Sequence, residues 1–218
     1  MKRPYVIINC AMSADGKIAS PMRKQMQISC DEDIKRMYRL RNECDAVLVG
    51  VGTILADNPK LTVKEKYVKH PKQPLRVVLD SKGRTPPDAL VLNDATKTLI
   101  VIAKGTEKTY TGSHIEVAKC DTDRNGLIDL KDVLDFLYRK GVRTLLVEGG
   151  GTIIWNFLKN KVVDDLYIYI KPCIIGGKET PTVAEGEGIK SEEDCIPLTI
   201  VKMKRLGPGL LIHYQSPR

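Results

Sequence analysis

The residues with the clearest chemical potential are an acid and three glycines that follow a short apolar run. Glu148 and Gly149–Thr152 come directly after Leu145–Val147. Glycine lets the backbone approach a ligand closely and adopt dihedral angles that other residues avoid. The apolar stretch Ile153–Leu158 predicts a helix, whose first turn has unpaired N–H groups and a partial positive charge. This pattern fits a phosphate cradle and fits equally a tight turn that binds nothing.

A second turn of the same kind occurs earlier in the chain. Gly50-Val51-Gly52-Thr53 follows the predicted strand Asp45–Val49. A short helix is predicted from there to Asn58-Pro59. Two helix N-termini of this kind can hold a pyrophosphate from both sides. The pair of turns is therefore more specific for a dinucleotide than either turn alone.

A further group that could bind phosphate follows the predicted strand Arg76–Asp80. Ser81, Lys82 and Arg84 place a hydroxyl and two cations immediately after that strand. These groups suit a phosphate monoester, and a cationic surface turn accounts for them equally well.

The elements that must position these residues alternate between strand and helix as far as Glu148. Helices are predicted after the S-x-x-E capping pattern Ser29–Glu32 and after Asp129, and the loop Ser20–Ile28 has no core pattern. Three later strands follow one another without helices. This order predicts an α/β fold in one domain, residues 1–218, with a mainly parallel central sheet and an antiparallel C-terminal edge. The predicted strands are Tyr5–Met12, Asp45–Val49, Arg76–Asp80, Leu99–Ala103, Ile115–Val117, Thr144–Glu148, Leu166–Ile170, Leu198–Val201 and Leu210–Tyr214.

Composition excludes several classes of function. A net charge of +8 favours an anionic partner, either a phosphorylated metabolite or nucleic acid. The basic residues are scattered and aromatic residues are few, so we expect a solvated basic surface without a nucleic-acid face. No apolar run approaches the ~20 residues of a membrane helix, and no signal-peptide pattern occurs. The six cysteines lack C-x-x-C spacing and a nearby histidine. We therefore expect a cytoplasmic protein with reduced thiols, no membrane partner and no metal site.

Four motifs, in order, resemble the reductase of riboflavin biosynthesis, which has the dihydrofolate reductase fold. They are N-C-A-M-S-A-D-G-K (Asn9–Lys17), V-G-V-G-T-I-L-A-D-N-P-K-L-T-V (Val49–Val63), V-L-D-S (Val78–Ser81) and V-E-G-G-G-T (Val147–Thr152). The resemblance covers nearly the whole chain. The H-x-E and P-C-x-x-C signature of the zinc deaminase that many bacteria fuse to this reductase is absent. The chain thus resembles the stand-alone archaeal and fungal forms.

The resemblance implies a dihydrofolate reductase-like sheet with helices on both faces, and a specific reaction. The expected substrate is 2,5-diamino-6-ribosylamino-4(3H)-pyrimidinone 5′-phosphate, reduced to its ribitylamino counterpart. NADPH is the expected donor, with NADH as the alternative, and hydride would reach the first ribose carbon of the opened imine. Two other functions stay open. They are dihydrofolate reductase itself, against which the motif around Leu61 argues, and a non-catalytic protein that binds nucleotides or nucleic acid.

The resemblance also implies a role for each matching residue. Expected catalytic residues are Glu148 and Asn9. Expected substrate contacts are Arg41, Leu61, Lys64 and Glu148, with the cations on the 5′-phosphate. Expected cofactor contacts are Ala11, Thr53, Asp57, Ser81, Lys82, Gly149, Gly150, Gly151 and Thr152.

Two of these positions depart from the pattern of the bacterial fusions. Lys64 stands where they usually carry arginine, and a lysine keeps the charge but loses the bidentate contact. Asn9 stands where they tend to carry lysine, so it either binds the substrate or satisfies backbone at the end of a strand. Arg41 has a simpler alternative as a cation at a helix C-terminus.

Two structural expectations also come from the resemblance. The protein is expected to form a homodimer, with Leu166, Tyr167 and Tyr169 beside Ile174-Ile175 as candidate interface. The Gly149-Gly150 peptide bond is expected to be cis, a state that is rare outside X-Pro bonds.

Overall fold

A computed structural model describes residues 2–217. The predicted α/β fold with a mainly parallel sheet is confirmed, and two short 3₁₀ turns, Leu90–Leu92 and Glu192–Asp194, occur in connections. The strands and helices in chain order are β1 Tyr5–Ser13, α1 Asp31–Glu43, β2 Ala46–Gly50, α2 Val51–Asp57, β3 Leu75–Leu79, β4 Thr98–Ala103, β5 Ile115–Cys120, α3 Leu130–Arg139, β6 Thr144–Val147, α4 Gly151–Lys159, β7 Asp165–Lys171, β8 Thr199–Leu206 and β9 Gly209–Gln215.

The contacts within the chain divide it into two compact units, each made from two separate stretches. The first unit combines the start of the chain, up to Tyr5, with Tyr38–Leu146. The second combines Val6–Met37 with the segment from Val147 to the C-terminus.

In the first unit the strands lie in the order β5-β4-β3-β2-β6, and β2, β3, β4 and β5 pair in parallel. All five residues of β2 are buried, as expected for a strand covered on both faces. Arg76 at the start of β3 is also fully buried. Its guanidinium donates to the Asn93 side-chain oxygen at 2.7 Å and to the Thr96 carbonyl at 2.6 Å. The loop after the 3₁₀ turn Leu90–Leu92 is therefore tied to β3.

In the second unit the strands lie in the order β1-β7-β9-β8. β1 and β7 are parallel, whereas β9 runs antiparallel to both β7 and β8. The predicted antiparallel C-terminal edge is thus confirmed. β8 is the last strand of the sheet and is exposed along nearly its whole length; its large apolar side chains Ile200, Val201 and Met203 are 59%, 48% and 60% exposed.

The helix starts agree with the sequence in one case and differ in another. The Asp129 carboxylate caps α3 by accepting from the Lys131 backbone N–H at 2.7 Å, as predicted. The helix predicted at the Ser29–Glu32 pattern is present as α1, but Ser29 does not cap it, because α1 begins two residues later, at Asp31. The Ser29 hydroxyl instead donates to the Asp33 carboxylate at 2.6 Å.

Within residues 2–217, no helix combines the length and apolar character that crossing a membrane requires.

Candidate functional site

The glycine turn after β6 has the local structure that the sequence predicts. Gly149 has a φ of +104°, the Gly149-Gly150 peptide bond is cis, and α4 begins at Gly151. A Cβ at Gly151 would collide with the Thr182 carbonyl oxygen and would lie 2.8 Å from the Glu185 side chain. Glycine is therefore required at Gly149 by its dihedral angle and at Gly151 by the close approach of neighbouring chain. Glu148 is half-buried at the end of β6, and Thr152 is exposed on α4.

Asn9 and Ala11 lie on β1 in the same unit. Asn9 is 8% exposed, and its side-chain oxygen accepts a hydrogen bond from Arg36 at 2.5 Å. It lies in the middle of β1, away from the strand end that its simpler alternative assumed. Burial raises the pKa of the neighbouring Cys10 thiol to about 12, so this thiol stays protonated and is a poor nucleophile. Ala11 is half-buried and stands opposite Tyr169 of β7.

The Asp15 carboxylate organises the loop after β1. It accepts hydrogen bonds from the Ser13 hydroxyl at 2.6 Å and from the backbone N–H groups of Ile175 and Gly176 at 3.1 and 2.7 Å. These bonds, that from Ser13 first, lower the pKa of Asp15 to about 2. In the sequence, Asp15-Gly16 by itself indicates only a turn. The long-range contact has no local signal, because its partners are backbone groups about 160 residues away.

The other glycine turn lies in the first unit, between β2 and α2. Gly50 occupies the N-cap position without a side-chain cap, and α2 runs from Val51 to Asp57. Thr53 and Asp57 are both half-buried. Asn58 ends the helix in the left-handed conformation and returns its N–H to the Ile54 carbonyl. The predicted helix and its end are confirmed, whereas the pyrophosphate contact stays a prediction.

The structure brings Arg41 and Lys64 together around one aromatic ring. The Arg41 guanidinium carbon lies 5.3 Å from the centre of the Tyr38 ring, and the Lys64 ammonium lies 5.6 Å from it. Tyr67 stacks on Tyr38 with ring centres 4.6 Å apart. Cations near aromatic faces are held by the ring quadrupole. Neither Tyr38 nor Tyr67 belongs to the residues that the sequence marks as candidate site residues.

Two of the expected substrate contacts, Arg41 and Leu61, have distinct surroundings. Arg41 lies in the last turn of α1, and it also donates to the Thr62 carbonyl at 3.0 Å. Its contacts therefore extend beyond the end of its own helix, and its role stays a prediction. Leu61 has a φ of +52° and is 2% exposed. Its side chain packs into the first unit, and its contact with a substrate stays a prediction.

The turn after β3 is fixed by a buried acid. The Asp80 carboxylate accepts from the backbone N–H groups of Arg84 and Thr85 at 2.9 and 2.7 Å. On this turn Ser81 is half-buried and Lys82 is exposed. The turn thus carries a hydroxyl and an exposed ammonium group, and their contact with a cofactor stays a prediction.

The predicted site residues therefore fall into two groups, one in each unit, and each functional role stays a prediction. In the part of the chain that the structure describes, no three His, Cys, Asp or Glu side chains are placed to hold a metal ion. The first unit contains Arg41, Thr53, Asp57, Leu61, Lys64, Ser81 and Lys82, and the second contains Asn9, Ala11, Glu148, Gly149, Gly150, Gly151 and Thr152.

Comparisons with known proteins point to one family. The family model for the RibD C-terminal domain matches residues 4–212. A protein of Archaeoglobus fulgidus is 42% identical over 217 residues, which cover 96% of this chain and 97% of that protein. One of Methanothermobacter thermautotrophicus is 39% identical over 215 residues, covering 97% and 98%. Both are named 2,5-diamino-6-ribosylamino-4(3H)-pyrimidinone 5′-phosphate reductase.

Solved structures give the same fold. A bifunctional deaminase/reductase of Thermotoga maritima superposes with a TM-score of 0.82 at 27% identity, over 99% of this chain. This chain spans 57% of the Thermotoga protein. A riboflavin biosynthesis reductase of Saccharomyces cerevisiae gives a TM-score of 0.75 at 21% identity, over 99% of this chain and 90% of the yeast protein. At that identity the yeast protein supports the fold alone.

Proposed function

This chain belongs to the RibD C-terminal domain family, and from that premise we propose that it reduces 2,5-diamino-6-ribosylamino-4(3H)-pyrimidinone 5′-phosphate to the ribitylamino product. The observation that carries the proposal is the 42% identity to a reductase of that name over nearly the full length of both chains. Because the proposed substrate and cofactor are charged metabolites that do not cross membranes unaided, we also propose a cytoplasmic location.

The proposed chemistry adds a hydride and a proton across a C=N bond. Opening of the ribosylamine ring gives an imine, and reduction of its first ribose carbon leaves the open ribityl chain. NADPH supplies the hydride when bound, and the protein supplies orientation and charge. We propose that Glu148 binds the amino groups of the pyrimidine, which fixes the imine carbon at the distance that transfer requires.

The turn Gly149–Thr152 is suited to the pyrophosphate of a dinucleotide. Helix α4 begins within this turn, at Gly151, and helix N-termini favour anions. We propose that this turn contacts the cofactor and that Ala11 lies against the nicotinamide. For Thr53 and Asp57, contact with the cofactor stays a prediction.

A direct assay tests the proposed function. Purified protein is mixed with NADPH and the ribosylamino phosphate, and the loss of NADPH absorbance is followed together with the ribitylamino product. We expect turnover with this substrate and none with dihydrofolate. Unchanged NADPH absorbance with the ribosylamino substrate would reject the proposal, and rapid reduction of dihydrofolate would replace it.

Lys82 is expected to determine the preference for NADPH over NADH. Lys82→Met removes the exposed cation proposed to meet the 2′-phosphate, and charge-assisted hydrogen bonds to an exposed group contribute about 1 kcal/mol or slightly more. We expect kcat/KM for NADPH to fall by about tenfold, with kcat/KM for NADH unchanged. Lys131→Met on α3 serves as the control, because Lys131 is also an exposed lysine. Equal losses with both cofactors would contradict the assignment.

Arg41 and Lys64 are expected to bind the 5′-phosphate of the substrate. Either residue changed to methionine should raise KM by about tenfold and leave kcat within twofold, since the phosphate is remote from the reacting carbon. The same variants are then assayed with substrate that lacks the 5′-phosphate. If the two cations act on the phosphate, wild type and variants should reduce this truncated substrate equally well. A fall in kcat with both substrates would argue against the assignment.

We further propose a homodimer, with a different surface from the one that the sequence suggested. Two residues of the expected interface, Leu166 and Tyr169, are 2% and 0% exposed and are buried inside the protomer, whereas Ile174 is 74% exposed. The exposed apolar residues of β8 are better placed, because an unpaired edge strand invites pairing with a second chain. Sedimentation should give twice the 24.3 kDa of one chain, and Ile200→Lys with Met203→Lys should shift the mass to one chain. A monomeric wild type would refute the dimer.

A further inference from the structure

A buried ion pair lies beside Asn9 and is not explained by the proposed roles. Asp33 on α1 is 2% exposed, and the side chain of Arg36, one turn later, is 16% exposed. Arg36 donates to one Asp33 carboxylate oxygen from Nε at 2.9 Å and from Nη2 at 2.7 Å. The same Nη2 donates to the Asn9 side-chain oxygen at 2.5 Å. The guanidinium therefore joins helix α1 to the candidate catalytic asparagine on β1.

Both side chains of the ion pair have further contacts that hold them in place. The Ser29 hydroxyl donates to the second Asp33 oxygen at 2.6 Å, so both carboxylate oxygens are in use. The Arg36 guanidinium carbon lies 5.6 Å from the centre of the Tyr167 ring, and Tyr167 stands opposite Asn9 in the β1–β7 register. The Tyr167 ring also stacks on His213, with ring centres 4.3 Å apart. Arg36 is thus held by a carboxylate and an aromatic face.

Stability alone is a poor reason for such an arrangement. Removing two charges from water is costly, and apolar residues of similar volume usually stabilise a core at least as well. A fixed charge pair does provide a fixed hydrogen-bond donor. Here that donor is directed at a residue already placed among the candidate catalytic groups.

The chemistry of arginine determines which end of the Asn9 carboxamide it contacts. Arginine has N–H donors and no acceptor, whereas the carboxamide has an oxygen that accepts and an NH₂ group that donates. The contact with Arg36 therefore selects the oxygen and leaves the NH₂ group to bond elsewhere. Rotation of the carboxamide by half a turn would lose this bond.

We propose that Arg36, held by Asp33, is a positioning residue that fixes the Asn9 carboxamide so that its NH₂ group donates to an acceptor on the substrate. The acceptor class is a neutral oxygen, either the pyrimidinone carbonyl or a ribose hydroxyl. This inference rests on the proposed function. It adds that substrate orientation is controlled through a residue that does not itself touch the substrate.

A double-mutant cycle tests whether Arg36 acts through Asn9. The variants are Asn9→Ala, Arg36→Met and the two combined, assayed for kcat and KM with NADPH and the ribosylamino substrate. We expect each single change to lower kcat by on the order of tenfold to a hundredfold, because a misplaced substrate reacts slowly. In the Asn9→Ala background, Arg36→Met should cause no further loss in kcat. Losses that multiply would show that Arg36 acts independently and would overturn the proposal.

Two further variants distinguish a loss of kcat from a loss of folded protein. Arg36→Met leaves the Asp33 charge buried alone, so the paired change Asp33→Leu with Arg36→Met is also measured, since it removes both charges together. It should melt near the wild-type temperature and still lose kcat. Arg39→Met, on an exposed position of the same helix, should behave as wild type. A paired variant with a wild-type melting temperature and wild-type kcat would refute the positioning role.

An isosteric change tests the direction of the hydrogen bond. Asn9→Asp keeps an acceptor for Arg36 but removes the NH₂ donor, so kcat should fall about as far as in Asn9→Ala. Retained kcat would overturn the proposal. Failure of the proposed function and failure of the positioning role give different results. If the wild-type protein does not turn over the substrate, the proposed function is rejected before any variant is compared.

Discussion

Glu148→Gln is expected to lower kcat/KM by on the order of a hundredfold or more. The change keeps the shape of the side chain but removes the charge proposed to bind the amino groups of the pyrimidine. One end of the glutamine amide would then meet those groups with a donor where an acceptor is needed, and an unpaired buried polar group is costly. Steady-state kinetics with the ribosylamino substrate measures the loss, and NADPH titration by fluorescence measures cofactor binding.

The pattern of the losses identifies the role of Glu148. Cofactor affinity should stay within about twofold of wild type, because the neighbouring turn Gly149–Thr152 is unaltered. Glu116→Gln is the matched control, since Glu116 lies on β5 and pairs with Lys140 at the surface. If Glu148→Gln weakened NADPH binding as strongly as catalysis, the residue would belong to the turn and the substrate contact would be wrong.

Arg76→Met is expected to cause the largest loss of stability, about 3–5 kcal/mol in the free energy of unfolding. Arg76 is fully buried, and burial lowers its pKa to about 10, which still leaves it charged at neutral pH. Its guanidinium donates to three backbone carbonyls, those of Lys60, Asn93 and Thr96. Methionine fills much of the volume but leaves these carbonyls without the donors that Arg76 supplies.

For a chain of this length the loss corresponds to a fall in melting temperature of roughly 10 °C. Urea unfolding gives the free energy, and calorimetry gives the temperature. Arg139→Met is the comparison, because Arg139 is 72% exposed and its ion pair with Asp135 lies at the surface. This control should change stability by no more than about 0.5 kcal/mol. A similar small effect at Arg76 would mean that the loops relax and satisfy their own carbonyls.

Local patterns predicted the parts of the fold and site that depend on neighbouring residues. β2 could be read from its unbroken apolar run, and the end of α2 from Asn58-Pro59, because strands and helix ends are set by nearby side chains. The turn at Gly149–Thr152 was found in the same way, since only glycine accepts a φ such as that of Gly149.

Contacts between distant residues could not be predicted from such patterns. Arg36 reaches Asn9 across 27 positions of sequence, and nothing in the order of side chains between them specifies the bond. Arg41 and Lys64 were each expected near the phosphate, but no pattern in the sequence shows that both lie beside the Tyr38 ring. The pattern at Ser29 predicted the helix that follows but not the partner of the Ser29 hydroxyl, which is the Asp33 side chain.

The pairing of β1 with β7 has a consequence for the order in which the chain can fold. Ile7 stands opposite Asp165 in the register of these strands, and the Val6 backbone N–H donates to Asp164, 158 residues later. A chain emerging from the ribosome therefore presents the motif Asn9–Lys17 long before this partner strand exists. Adjacent strands such as β3, β4 and β5 pair over far shorter separations, which cost less loop entropy to close. The N-terminal strand, although synthesised first, can pair with β7 only after most of the protein has been made.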